Sequence, residues 1–110
     1  MQRIEILSPM DAQMIKTLQD YFATQPVLKA WVFGSFARGE ETEDSDVDLL
    51  VQFDRRQKPV TLLTYARIWR GLKDRLNREV DLVEEGSLRP YAEETANQDK
   101  KLIYERKSER

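Results

Sequence analysis

The chain of 110 residues contains no cysteine and no histidine. The first absence excludes disulfides, thiolate nucleophiles and cysteine-bound metals. The second removes Ser-His-Asp catalysis and every histidine-bound zinc site. Any metal must therefore be a hard cation on oxygen ligands, and the natural general base is a carboxylate. Long hydrophobic runs are missing as well. No stretch approaches the roughly 18–20 apolar residues of a membrane span, and Met1-Gln2-Arg3-Ile4-Glu5 lacks the apolar core of a signal peptide. A cytoplasmic address without membrane contact is the expectation. The length predicts a single domain over 1–110, with 105–110 as a solvated tail.

Charge of one sign is nearly balanced, with a net value of −2, so direct nucleic-acid binding is not expected. The distribution along the chain is uneven. Residues 40–48 carry six carboxylates and no base, whereas residues 54–78 carry eight basic residues against Asp54 and Asp74. The simple reading of the basic stretch is a solvated helix face. The sharper one is a docking face for an acidic partner or a polyphosphate.

Apolar spacing predicts the elements. Ile4–Leu7 reads as an edge strand or an arm. Ser8, Pro9 and Asp11 form a helix start, and Met14, Ile15, Leu18, Tyr21 and Phe22 carry that helix to about Thr24 before Pro26. Val27–Phe33 is β-rich and stops at Gly34-Ser35. Asp46–Phe53 alternates, with Val47, Leu49, Val51 and Phe53 on one face and Asp46, Asp48, Leu50 and Gln52 on the other. Thr61 caps a long helix whose stripe is Leu62, Tyr65, Trp69, Leu72 and Leu76, and core packing is the expected role of the two aromatic residues. Glu79–Val83 reads as a short strand, Pro90 opens a helix to about Asn97, and Leu102–Tyr104 returns as a last strand. Helices packed on a short mixed sheet make this an α/β (α+β) domain.

Three acids stand in this frame where chemistry would need them. Asp46 and Asp48, two apart on a strand, project from one face about 7 Å apart along the backbone. Their repulsion would be relieved by a divalent cation such as magnesium. Asp81 is an acid inside a β-branched strand, a position that propensity disfavours. Should its strand pair beside that of Asp46, three carboxylates would converge, as in a two-metal phosphoryl-transfer site. Gly34 lets backbone approach an anion, Ser35 offers a hydroxyl donor, and Arg38 offers a guanidinium fork for phosphate. Neither a P-loop nor a Rossmann glycine fingerprint occurs.

Gly34-Ser35, ten residues, then Asp46-Val47-Asp48 is the Gly-Ser-x10-Asp-x-Asp spacing. The stretches Gly34-Ser35-Phe36-Ala37-Arg38-Gly39 and Ser45-Asp46-Val47-Asp48-Leu49-Leu50-Val51, with Glu79-Val80-Asp81-Leu82-Val83, closely resemble the minimal nucleotidyltransferase (MNT) branch of the polymerase-β-like superfamily. The motif core spans 27–84. The resemblance implies that fold and a magnesium-dependent enzyme. Gly34 and Ser35, helped by Arg38, would bind the phosphates of ATP. Asp46, Asp48 and Asp81 would hold two Mg2+ ions, Asp81 also helping to deprotonate the acceptor hydroxyl. It further implies an antitoxin of a type VII-like pair, which transfers AMP to a tyrosine of a HEPN-domain RNase toxin within a hetero-oligomer. Two other readings stay open: neutralisation of that toxin by binding alone, and transfer to a small molecule or an RNA end.

Overall fold

The computed structural model describes residues 9–34, 45–56, 58–86 and 100–106. Among them the order is α1 (Pro9–Phe22), β1 (Val27–Phe33), β2 (Val47–Phe53), α2 (Leu62–Leu76), β3 (Val80–Glu84) and β4 (Lys101–Glu105). The strands form one mixed sheet in the order β3-β2-β1-β4. β1 runs antiparallel to β2 and β4, and β2 runs parallel to β3, with α2 as the crossover between them. This is the α+β architecture expected from the sequence. The strand of Ile4–Leu7, the cap at Ser8 and the helix from Pro90 to Asn97 lie outside the described residues.

The alternation in β2 sets the two sides of the sheet. Val47, Leu49 and Val51 are fully buried and Phe53 nearly so. They join Ala30 and Val32 of β1, Val80 and Leu82 of β3 and Ile103 of β4 in one core. The same core takes Ile15, Leu18, Tyr21 and Phe22 from α1 and Ile68 and Leu72 from α2, so both helices cover this face. The opposite face is polar at Asp48 and Gln52, although Leu50 is buried there too, outside the main core. Gly71 lets the helices meet. A Cβ there would stand 2.7 Å from Tyr21 Cζ, and the Tyr21 hydroxyl donates to the Ile68 carbonyl at 3.4 Å.

α2 begins at a reciprocal cap. Thr61 Oγ1 accepts from the Thr64 N–H at 3.2 Å, and Thr64 Oγ1 accepts from the Thr61 N–H at 3.3 Å. It ends at Asn77, left-handed at φ 53°, whose N–H donates to the Lys73 carbonyl at 2.8 Å. The expected apolar stripe needs one correction. Ile68 is fully buried and centres the stripe with Leu72, whereas Leu62 is 83% exposed. Leu62 lies about 80° around the helix from Leu72, at the margin of the buried arc. Tyr65, Trp69 and Leu76 are partly buried against the core.

Candidate active site

The sheet register assembles the polar site from three strands. Asp48 of β2 pairs with Phe33 of β1 on one side and with Asp81 of β3 on the other. Partners in register project to the same side of a sheet, so Asp48 and Asp81 share the polar face as cross-strand neighbours. Asp48 is half-buried, while Asp46 and Asp81 are exposed. Asp46 precedes β2, and its neighbour Ser45 accepts through its carbonyl from Arg78 Nη1 at 3.2 Å. The Val47 N–H donates to the Glu79 carbonyl at 3.0 Å and starts the parallel pairing. Those two bonds tie the Asp46–Asp48 segment to the turn that leads into β3.

Gly34 closes the site from β1. Its φ of +71° lies in the left-handed region, and a Cβ there would collide with the Asp48 carboxylate, 3.2 Å from Cγ. Glycine is thus required twice, by the backbone angle and by the acid packed against it. Ser35 and Arg38 lie outside the described residues.

Hard oxygen donors on the polar face of the sheet, with glycine backbone approaching one of them, form a donor set that fits a divalent cation. Asp48 and Asp81 stand side by side for such an ion. The expected convergence of all three acids is not what the side chains display. Among the described residues no group of three carboxylates is gathered closely enough to enclose one ion. Like charges on one face repel, which opposes their gathering.

Sequence reading missed the side chains that hold β3. This strand is at the sheet edge, and its carbonyls at Val80 and Leu82 receive bonds from α2. Trp69 Nε1 donates to the Val80 carbonyl at 2.9 Å and the Tyr65 hydroxyl donates to the Leu82 carbonyl. These carbonyls flank Asp81. The two aromatic residues therefore both pack against the core and fix the backbone on either side of an acid. Burial pushes the Tyr65 hydroxyl pKa up, and the negative charge of Asp81 adds to the shift. The periodicity marked both residues as apolar; their polar ends were the unused signal.

The basic stretch of 54–78 divides between the two ends of the sheet. Arg56, Lys58 and Arg67 line a groove at the far end, whereas Arg78 contacts the backbone beside Asp46. No helix among the described residues is long and apolar enough to cross a membrane.

Residues 16–109 match the family model described as polymerase beta, nucleotidyltransferase. The chain is 39% identical over 74 residues to the protein adenylyltransferase MntA of Thermococcus cleftensis, covering 67% of this chain and 69% of that one. A solved structure of a candidate minimal nucleotidyltransferase superposes with a TM-score of 0.65 at 37% identity, over 83% of this chain and 89% of that one. A complex of a tri-AMPylated Shewanella oneidensis HEPN toxin with an MNT antitoxin is similar in fold, with a TM-score of 0.56 at 19% identity over 86% of this chain and 69% of that one. With the Gly34–Asp48–Asp81 geometry and a match over most of its length, the chain belongs to the polymerase-β nucleotidyltransferase family.

Proposed function

We propose that the protein is a protein adenylyltransferase that transfers AMP from ATP to a tyrosine hydroxyl of a HEPN-type toxin, and so acts as its antitoxin. The observation that carries this reading is the row Phe33–Asp48–Asp81 with Gly34 packed on Asp48. It supplies two acids side by side at one end of the sheet, next to a glycine whose backbone packs closely on one of them. The names of the relatives support the protein acceptor and the partner class.

In this reading Gly34 and Ser35 hold the β- and γ-phosphates, with Arg38 as a further donor. Asp46, Asp48 and Asp81 would hold two Mg2+ ions between them. When bound, these ions supply electrostatic stabilisation of charge on the phosphate oxygens. The chain's own work is positional. The Gly34 backbone admits the phosphates close to Asp48, and Asp81 lies beside it, where it can take the proton from the acceptor hydroxyl. The tyrosine oxygen forms a bond to the α-phosphorus, the bond from that phosphorus to the bridging oxygen breaks, and pyrophosphate leaves with the electron pair.

The test is incubation of the protein and a co-expressed HEPN-type partner with ATP and magnesium, followed by intact-mass measurement. The expected result is a gain of AMP on a partner tyrosine that disappears with Asp48→Asn. A partner neutralised equally well by Asp48→Asn, with no mass gain in either case, would leave binding alone as the function. Transfer to RNA with no protein partner present would overturn the acceptor assignment.

A further inference from the structure

A groove of about 980 Å3 opens at the end of the sheet remote from Asp48. The α1–β1 turn, the connector after β2, the first turns of α2 and Arg106 form its walls. β1 leaves this end at Val27 and reaches Phe33, the register partner of Asp48, about 20 Å away at the usual rise per residue. The groove is thus no part of the candidate active site.

Its lining is strongly cationic. Among the described residues, Arg56, Lys58, Arg67 and Arg106 face a single carboxylate, Asp54. Two of the four are already engaged. Arg56 Nε and Nη2 donate to Asp54 at 2.9 and 2.8 Å, and Arg106 Nη1 stands 3.8 Å from it. Arg106 Nη2 also donates to the carbonyls of Phe22, Ala23 and Gln25 at 3.2, 3.3 and 2.6 Å. The side chains of Lys58 and Arg67 make no ion pair or hydrogen bond with a described residue. Two cations with no described carboxylate partner in a concave surface favour an anionic occupant.

Two observations narrow the class of occupant. No aromatic side chain lines the groove among the described residues, so it has no platform on which unpaired bases could stack. Beside it, the first turn of α2 exposes Leu62 and Leu63, 83% and 68% accessible. Leu63 is four residues before Arg67 and so adjoins it on the helix surface. Large exposed apolar groups next to free cations suit a polypeptide bearing both carboxylates and apolar side chains, and a bare phosphate would leave the leucines uncovered.

We propose that the groove and the Leu62–Leu63 turn form a docking site for an acidic segment of a protein partner, with apolar side chains placed among its carboxylates. The site is independent of the transfer chemistry and grips its partner about a sheet's length from Asp48.

The test is fluorescence anisotropy on the full chain with a labelled peptide that alternates glutamate and leucine. A glutamate–serine peptide, tripolyphosphate and oligouridylate serve as competitors. Saturable binding is expected, weakened by salt, with the glutamate–leucine peptide preferred over all three competitors. Lys58→Glu with Arg67→Glu should weaken it by about tenfold or more, since each adds a like charge. Lys58→Gln with Arg67→Gln should act in the same direction, and Leu62→Ser with Leu63→Ser should weaken the glutamate–leucine peptide alone. No saturable binding, affinity unchanged in all these variants, or tighter binding of tripolyphosphate or oligouridylate overturns the proposal.

Discussion

Asp48 on β2 and Asp81 on β3 are register partners across a parallel strand pair, so two acids distant in sequence share one polar face. Neighbouring like charges cost the metal-free protein something and become ligands once a cation is present. Replacement of Asp48 or Asp81 by asparagine should lower magnesium-dependent transfer more than about a hundredfold, beyond the effect usual for groups that merely support a metal ligand. Thermal unfolding without magnesium should show Asp81→Asn at least as stable as the parent. Retained transfer of label from ATP by Asp48→Asn would remove this residue from the metal site.

Gly34→Ala should be damaging on two counts, through its φ of +71° and through collision with the Asp48 carboxylate. Backbone strain of this kind costs about 1–3 kcal/mol. Denaturant unfolding should report a loss in that range, together with loss of nucleotide binding by calorimetry. A Gly34→Ala protein with unaltered stability and unaltered nucleotide affinity would contradict the close packing of this turn on Asp48.

Tyr65→Phe tests the support of β3 from α2. It removes the donor to the Leu82 carbonyl while keeping the ring, which should cost roughly 0.5–1.5 kcal/mol. Amide exchange along β3 should quicken more than exchange along β1, because the perturbation begins at the edge strand. Uniform exchange across the sheet would mean that the hydroxyl does not hold this edge.

Acid should weaken the far end of the sheet first. The side-chain bonds from Arg56, then its backbone N–H, hold the Asp54 carboxyl well below the usual carboxylate range despite some opposing desolvation. A carboxyl depressed in the folded state stabilises the protein above its unfolded pKa, about 3.9, and loses that contribution as pH falls toward the folded value. The advantage of the parent over Asp54→Asn in melting temperature should therefore be full above about pH 5 and shrink below about pH 4. An advantage that grows with acid would reverse the assigned direction.

The elements of the described residues and the motif spacing were legible in the sequence because each depends on local rules. The period of two in Val47–Phe53, the period near 3.6 in α2 and the Thr61 cap are written in short windows of chain. The glycine turn and the paired aspartates were legible as a spacing. What the spacing could not determine was who stands beside whom. Only the packed sheet puts Asp81 next to Asp48, because register is set by which apolar faces are buried together. Only packing shows that Leu62 leaves the buried stripe while Ile68 centres it, since a stripe's margin depends on what the helix covers. The polar roles of Tyr65 and Trp69 were hidden by the same cause: their rings fit an apolar pattern, and the carbonyls they receive exist as unpaired acceptors only at the edge of a folded sheet. The division of the basic stretch is likewise tertiary, because a run of charges along a chain has no ends until helix and strands set them apart in space.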